Sequence, residues 1–554
     1  MRRNILAILI KSGFQITPDA LDYILDLETP LQTVELVISS KRESESQPIL
    51  SREYIKALIE FSPSESSFVE SQADLSIFEE ESDEAPTTEA VTQALENDDD
   101  WQFRIEKNPD QVSVGSEGTI TDFLALFQDR FMRIWNIYKA RIDTQNAVFP
   151  SEAKRRRASI NRRTSIEGNK TSARRPPSLV IIGIVNNKSI ARKSRNVVLN
   201  IEEYRPPRPE DRNKPYEWPN ESITCVIPTG IDNPKRQALS KKADSILLDE
   251  VVCISGYVDS TGRMIADDVL FPDIPTMRRA GHAKKEVYAA FISDLHCGSQ
   301  EFLEDEFDRF IDWLNGRDVD SSDKNMVEKT KYLFIAGDLV DGISVYPNQR
   351  DHLKISSLYD QYATIASKLK SLPKRIKVVC IPGNHDACRQ ALPKSSIQRA
   401  FAEPLYELEN VSMLGDPCQV IVEDVRILIT HGDSMDDLVT TLPQASYTEP
   451  AISMIELLKK RHLAPIYGGK TELAPLHRDW MVIDTPPDVV HFGHAHHNAI
   501  DNYRGVQIIN SGTFQSQTDF MRKQGVVPTP GNVTFMNLRT GVLDVKLFYT
   551  ASKQ

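Results

Sequence analysis

Five short apolar runs in the second half of the sequence are each followed by side chains that can bind metal ions. The runs are VYAAFISD, KYLFIAGD, IKVVCIPGN, VRILITHGD and DVVHFGH. Carboxylate and imidazole groups together favour divalent ions such as manganese, iron or zinc. The residues at these five tips that can act as ligands are Asp294, His296, Asp338, Asn384, His431, His494 and His496.

The elements that carry these side chains are predicted to be buried strands of an α/β fold, because each run is apolar and ends in polar residues. Folds of this class build their sites at the carboxyl ends of the strands. Alternate residues of an extended tip point the same way, so Asp294 and His296 are predicted to hold one ion. His494 and His496 share that spacing and could serve one ion or two. A single tip of this kind is a weak signal, but five in succession predict a metal site.

The order of the five motifs resembles that of the calcineurin-like metallophosphoesterases, over residues 285–554. This resemblance implies an α/β fold with a double β-sheet sandwich flanked by helices, and a centre that holds two divalent ions. Such a pair of ions activates water for attack on phosphorus and offsets charge on the phosphoryl oxygens. The resemblance assigns the ligands to two sets that share one carboxylate: Asp294, His296 and His496 for the first ion, Asn384, His431 and His494 for the second, and Asp338 for both.

Other residues near the motifs receive separate expectations. The resemblance gives His385 a role in stabilising the transition state or protonating the leaving group, with Asp386 orienting its imidazole. Arg389 could meet a substrate phosphate or form a surface salt bridge. His491 is expected to be a packing or solvent-exposed residue, and Cys297 a buried free thiol.

The N-terminal region divides into a small helical domain over 1–60 and an acidic, disordered linker over 61–117. Apolar residues keep helical spacing in the first segment. Residues 61–100 contain thirteen acids and no Lys or Arg, which accounts for the whole net charge of −13. A segment of that composition buries too little apolar surface to fold. Because the remainder is neutral, the overall charge does not exclude contact with nucleic acid.

Residues 118–177 are predicted to contain an amphipathic helix and a basic loop. The stretch 119–141 repeats large apolar side chains at helical spacing, as expected for a helix that docks on a neighbouring domain or meets a partner. The stretch 154–175 has nine basic residues, one acid and no apolar periodicity, which predicts a mobile loop. Contact of Arg155, Arg156 and Arg157 with nucleic acid and simple solvation of the loop are both open.

Short β-rich runs over 178–280, separated by turn-rich and charged segments, predict a small OB-like barrel. The composition, with 40% hydrophobic and 26% charged residues, is that of a globular protein. Six cysteines without a Cys-x-x-Cys pair fit a reducing, cytoplasmic location. No apolar run approaches the roughly 20 residues of a membrane span, so no membrane association is expected.

A barrel directly before a metallophosphoesterase resembles the B-subunits of replicative DNA polymerases. The stretches RHLAPIYGGKTELAP (461–475) and PDVVHFGHAH (487–496) resemble most the small subunits of the archaeal D-family DNA polymerases. That likeness extends over roughly 178–554. It implies a metal-dependent 3′→5′ exonuclease that proofreads the primer 3′ end for a separate large catalytic subunit. Manganese is the usual metal of such nucleases, and iron, zinc or magnesium are alternatives.

Two alternative functions stay open at this point. The chain could be a stand-alone DNA repair nuclease of the same superfamily, although its usual helical capping region is not evident after Gly512. It could also be a catalytically silent scaffold, as the eukaryotic B-subunits are after losing their ligands. All seven ligand positions are filled here, which favours an enzyme.

Overall fold

The computed structural model describes residues 101–111, 115–166, 176–204, 222–230 and 233–549, with the isolated positions 15–16, 23–24 and 49–50. The chain forms two compact units, Met1–Glu96 and Asn97–Gln554. In the first unit, the strands Gln15–Ile16 and Ile49–Leu50 pair in parallel. Most of the helical domain predicted over 1–60, and the acidic stretch 61–100, lie outside the described residues.

The second unit opens with a strand, β1 (Phe103–Lys107), that the sequence did not predict. It pairs antiparallel with the strand Cys418–Val422, more than 300 residues further along the chain. Trp101 strengthens this attachment, because its indole N–H donates to the carbonyl of Arg375 at 2.8 Å. The prediction of a disordered linker as far as residue 117 is therefore wrong for residues 101–111.

Two helices connect β1 to the barrel. The first, α1 (Ile120–Lys139), begins at Thr119, whose side chain forms a reciprocal capping box with Asp122. Its extent confirms the predicted amphipathic helix, and its apolar face packs against the barrel. The second, α2 (Pro150–Ile166), occupies much of the predicted basic loop. That prediction is wrong for residues 154–166, whereas residues 167–175 lie outside the described part of the chain.

Helix α2 has no apolar face, and it is stabilised instead by the residues of its first turn. Proline at the first helical position loses no hydrogen bond, because that N–H would have no helical partner. At the next residue, the backbone N–H and hydroxyl of Ser151 donate to the Glu203 carboxylate at 2.9 and 3.0 Å. The helix is thus fixed to the barrel at its first turn.

The predicted OB-like domain is a closed barrel of five strands: β2 (Leu179–Ile190), β3 (Val197–Glu202), β4 (Ser222–Ile227), β5 (Val251–Val258) and β6 (Met264–Leu270). Around the barrel their order is β2-β3-β4-β6-β5. The strands pair antiparallel except β4 with β6, which run in parallel. Alternate apolar residues fill the interior, as expected for strands with one buried face. Helix α3 (Pro234–Asp244) lies between β4 and β5 along the chain.

The remaining elements build the C-terminal domain. They are β7 (Tyr288–Ile292), α4 (Glu304–Leu314), α5 (Lys324–Lys329), β8 (Thr330–Ala336), α6 (Leu358–Lys370), β9 (Lys377–Ile381), α7 (Arg399–Tyr406), β10 (Val411–Met413), β11 (Cys418–Val422), β12 (Val425–Ile429), α8 (Met435–Thr441), α9 (Pro450–Lys460), β13 (Val489–Phe492), β14 (Ala499–Tyr503), β15 (Val506–Asn510), α10 (Asp519–Gln524), β16 (Asn532–Asn537) and β17 (Leu543–Leu547). Short 3₁₀ turns lie at Pro109–Gln111 and Gln349–His352.

These strands form two six-stranded sheets, which confirms the predicted α/β sandwich. The first has the order β10-β9-β8-β7-β16-β17, and the second β14-β15-β13-β12-β11-β1. Apolar side chains from both sheets form one core, in which Phe291 and Phe334 meet Val420 and Ile427. Helices α4, α6 and α7 cover the outer face of the first sheet, and α8 and α9 cover the second. No helix of the described residues is long and apolar enough to cross a membrane.

A buried polar cluster, here called the seam, ties α1 to the C-terminal domain. It consists of Arg130, His462 and Asp479. The Arg130 guanidinium donates to Asp479 Oδ2 at 2.6 Å and to the carbonyl of Pro465 at 2.6 Å. His462 Nε2 lies 2.8 Å from the same carboxylate oxygen, while its Nδ1 accepts from the backbone N–H of Ala464. These partners fix a neutral His462 with the proton on Nε2.

Candidate metal centre

The seven predicted ligands lie together where β7, β8, β9, β12 and β13 end. Asp338 is central: its Oδ2 lies 3.6 Å from His296 Nε2 on one side and 3.4 Å from His431 Nε2 on the other. All three side chains are buried. Both sheets thus contribute donor atoms to one site, with a carboxylate between two groups of imidazoles.

The first group of donors consists of Asp294, His296 and His496. His496 Nε2 lies 3.3 Å from Asp294 Oδ1 and 3.0 Å from His296 Nε2. One donor atom from each residue falls within 4.8 Å of the others, a spacing that a single ion can bridge. These are the three residues that the resemblance assigned to the first ion; that they bind one stays a prediction.

The second group consists of Asn384, His431 and His494. Asn384 Oδ1 lies 2.9 Å from His431 Nε2 and 3.1 Å from His494 Nδ1. His431, Asp433 and His494 also have donor atoms within 4.8 Å of one another. The structure therefore brings all seven predicted residues together and adds Asp433 to their surroundings.

The backbone at the ligands is not extended, so the predicted reason for their convergence is wrong. Five ligand residues have a positive φ, between 50° and 66°: Asp294, His296, Asp338, His494 and His496. Asp and His enter this left-handed region more readily than β-branched residues do, at a cost of order 1–3 kcal/mol each. Tight left-handed turns, rather than strand alternation, aim these side chains inward.

Two glycines are required by the close approach of these turns. A Cβ at Gly383 would lie 2.1 Å from Asp338 Oδ1, and one at Gly493 would lie 2.6 Å from Asp294 Oδ2. Either contact would displace a carboxylate of the centre. The glycines beside the ligands therefore provide space as well as backbone freedom.

Groups outside the seven ligands fix the orientation of three imidazoles. His296 Nδ1 lies 3.2 Å from Asp341 Oδ1, and His494 Nε2 lies 2.9 Å from Asp436 Oδ1. His431 Nδ1 lies 2.8 Å from the carbonyl of Ala336. In each ring, the other nitrogen faces the ligands, which is how metal-binding histidines are usually held. Sequence reasoning missed Asp341 and Asp436, and an acid three to five residues after a ligand was the only available signal.

The buried carboxylates and imidazoles of the centre favour the binding of positive charge. Burial alone would raise the pKa of Asp338, yet His431 and His385 hold it well below its usual range. Burial alone would lower the pKa of His431, but the carboxylates of Asp338 and Asp294 raise it to about 10. Buried carboxylates beside closely spaced ring nitrogens fit divalent cations, since an ion satisfies both kinds of donor.

The His385 imidazole is held by a group other than the predicted Asp386. His385 Nδ1 lies 2.8 Å from the carbonyl of Asp341, and its backbone N–H donates to Asp338 Oδ1 at 2.8 Å. Asp386 instead accepts from the N–H groups of Leu339 and Gly383, at 3.2 and 2.9 Å. The prediction that Asp386 orients His385 is wrong: the Asp341 carbonyl holds the imidazole, and Asp386 joins the tips of β8 and β9.

The remaining candidates lie outside the cluster of ligands. The guanidinium of Arg389 donates to the carbonyls of Ala391 and Pro393, within its own loop. Arg155, Arg156 and Arg157 lie on α2 beside the barrel, where Arg156 pairs with Glu152 at 2.6 Å. His491 is buried against Ser511 Oγ at 2.7 Å, which confirms a packing role. Cys297 is a buried free thiol, as predicted.

Comparison with known proteins places this geometry in a family. The chain matches the DNA polymerase alpha/epsilon B-subunit family over residues 289–500, the span that contains all seven ligands. It aligns with a novel archaeal phosphodiesterase of known structure at 14% identity and a TM-score of 0.24, over 47% of this chain and 99% of that one. A score that low assigns no function.

Relatives of known name are more informative. The DNA polymerase II small subunit of Archaeoglobus fulgidus is 38% identical over 419 residues, which cover 75% of each chain. The protein of the same name from Pyrococcus furiosus is 35% identical over 429 residues, 77% of this chain and 64% of that one. As the motifs predicted, the chain belongs to the family of archaeal D-family DNA polymerase (DNA polymerase II) small subunits.

Proposed function

We propose that the chain removes nucleotides from the 3′ end of DNA as the proofreading subunit of a D-family DNA polymerase, using two divalent ions. The observation that carries this proposal is the convergence of seven donor side chains around Asp338. Their carboxylate and imidazole donors accept manganese, iron or zinc. The resemblance to nucleases of this kind favours manganese, with magnesium as a further alternative. A chain acting only as a scaffold would have no need of this buried cluster.

The residues divide the work between binding and positioning. Asp294, His296 and His496 would hold one ion, Asn384, His431 and His494 the other, and Asp338 both. When bound, the ions supply an activated water and offset charge on the phosphoryl oxygens. His385 stands at the edge of the centre, where its imidazole can stabilise the phosphoryl group or the leaving oxygen. Asp386 keeps the two ligand-bearing tips in register.

The polymerase reaction itself is assigned to a separate large catalytic subunit. The relatives are called small subunits, which supports a complex of this kind. Helix α1 and the barrel are the candidate surfaces for that partner. The exposed Arg155 and Arg156 on α2 are candidates for contact with DNA phosphates, because such contacts need charge and little shape.

An excision assay tests the proposal directly. The purified chain is incubated with a labelled primer that carries a 3′ mismatch, with manganese, in the presence and absence of the large subunit. We expect excision by the wild type and a loss of more than about 100-fold in Asp338→Ala, since replacing even an outer partner of a ligand costs 10–100-fold. Asp501→Ala, an exposed acid on β14, is the matched control and should excise normally.

Two other outcomes would change the assignment. No excision with or without the large subunit would leave a silent scaffold. Excision by a chain that forms no complex with the large subunit would indicate a stand-alone repair nuclease. Co-purification of the two subunits, followed by the same assay, distinguishes these cases.

A further inference from the structure

A pocket of about 470 Å³ opens directly beside the metal centre. It shares Asn384 and His385 with that centre, and the loop after β8 and the start of α6 form its other walls. A molecule that placed a phosphodiester at the ligands would therefore extend into this space. Pockets of this size hold one small ligand rather than a segment of duplex.

The walls of the pocket suit an uncharged, flat group. Four lining residues provide apolar surface: Ile343, Val345, Leu358 and Ala387. Five provide polar groups: Ser344, Asn384, His385, Asp386 and Gln390. No Lys or Arg is among the lining residues, so the pocket itself is not a phosphate site. Apolar surface on which a base can stack, beside polar groups that can bond a sugar, accepts a nucleoside without selecting a particular base.

Tyr346 extends the apolar wall toward the solvent. Its ring centre lies 6.3 Å from that of His385 and 6.3 Å from that of His352, and 37% of the residue is exposed. A partly exposed aromatic ring beside an open pocket offers a face on which a base can stack. The ring lies on the same side of the centre as His385.

The loop that bears these residues is held in place by a buried amide. Gln349 is 1% exposed, and its Nε2 donates to the carbonyl and Oδ2 of Asp341 at 2.7 and 2.8 Å. Its Oε1 accepts from the backbone N–H of Val345 at 2.8 Å. The same Asp341 also holds His296 and His385, so the pocket wall and the metal centre share one support.

We propose that this pocket receives the base and sugar of the 3′-terminal nucleotide after it has separated from the template, with Tyr346 stacking on the base. The inference rests on the proposed exonuclease and adds the residues that select its substrate. One nucleotide fits, so a paired end must first open. Opening costs least at a mismatch, which makes the pocket a source of proofreading selectivity.

Two substrates distinguish an effect on the pocket from an effect on the metal centre. The first is a 3′-mismatched primer. The second is methyl 4-nitrophenyl phosphate, a small diester whose leaving group is 4-nitrophenolate and whose methyl group stands where the terminal nucleoside would be. Val345→Trp should fill the pocket and lower the ratio of primer excision to diester hydrolysis at least about 10-fold. Tyr346→Ala should lower the ratio severalfold, and Tyr346→Phe should restore it. Each pocket variant should also lose preference for mismatched over matched ends.

Ala363→Trp is the matched control, because Ala363 lies on the exposed side of α6 and does not line the pocket. It should leave the ratio unchanged. An unchanged ratio in Val345→Trp, with both substrates hydrolysed, would overturn the pocket assignment alone. A wild-type chain that hydrolysed neither substrate would overturn the proposed nuclease and this inference with it.

Discussion

The metal centre and the seam are both buried clusters of charged and imidazole side chains, yet they differ in whether their charges are balanced. In the seam, Arg130 offsets Asp479, and His462 is neutral with both ring nitrogens bonded. At the metal centre, none of the seven ligands is a Lys or Arg, and the carboxylates and imidazoles raise or lower one another's pKa instead. A cluster whose charges cancel suits a structural role, and a cluster with an excess of carboxylates and imidazoles suits the binding of cations.

The largest expected difference is in turnover. His385→Ala should reduce primer excision by about 10²–10⁴-fold, because under the proposed mechanism it removes a group that acts on the reacting phosphate. Metal content should stay at the wild-type level, since none of the seven ligands changes. Excision rate and bound metal, measured on the same preparation, check this. Normal turnover at full metal content would show that His385 is not catalytic.

Substitutions in the seam should lower the stability of the fold rather than turnover. Arg130→Leu leaves the Asp479 carboxylate buried without its cation, a change that costs about 3–5 kcal/mol in the free energy of unfolding. Urea denaturation measures the loss. Arg156→Leu is the control, because its exposed pair with Glu152 should contribute less than about 1 kcal/mol. Equal losses in both variants would contradict the contrast.

Chelation should affect only the metal centre. An ion at 100 times its dissociation constant stabilises the folded chain by about 2.7 kcal/mol, so removing it should lower the melting temperature. Manganese added back should restore the wild type and Arg130→Leu, but not Asp338→Ala. A melting temperature that changed neither on chelation nor on the addition of manganese would argue against a bound ion.

The smallest expected effect is a loss of stability in acid that comes from the seam. Burial, with Arg130 next in importance, lowers the pKa of His462 to about 4. The unfolded chain binds this proton below the ordinary value of about 6.5, so stability falls as the pH drops from about 6.5 to 4. Between pH 7 and 5 the loss should be about 2 kcal/mol.

Replacing the titrating group tests that assignment. In His462→Gln the acid-dependent loss should be smaller than in the wild type by about the same amount, while the amide can still donate to Asp479. Urea denaturation at the two pH values provides the comparison. An identical pH dependence in both proteins would show that His462 is not the group responsible.

Much of the metal centre could be predicted because each ligand directly follows an apolar strand. The left-handed turns could not, since the argument from alternation assumes extended backbone at Asp294 and His296. Asp341 and Asp436 also escaped prediction, because an acid near a motif is common. The sequence identifies which residues meet, and the turns determine how.

The elements missed in the fold depend on distant partners or on very few contacts. Strand β1 is stabilised by β11, more than 300 residues away, and it follows an acidic stretch that suggested disorder. Helix α2 is fixed to the barrel by the bond between Ser151 and Glu203 rather than by an apolar face. Its sequence therefore has no apolar periodicity from which a helix could be predicted. The seam joins Arg130, His462 and Asp479, which lie far apart along the chain. His462 falls within the stretch 461–475 that resembles the archaeal family, but nothing in that stretch indicates a pairing with Asp479.

The pairing of β1 with β11 makes the C-terminal domain discontinuous along the chain, with the barrel inserted between its first strand and the rest. A shortened protein that started at residue 118 would leave the N–H and C=O groups along one side of Cys418–Val422 without a partner. Bare strand edges of this kind pair with other molecules and cause aggregation. Expression of the C-terminal domain should therefore retain Trp101–Lys107, because a protein without these residues would expose the edge of β11 and lose solubility.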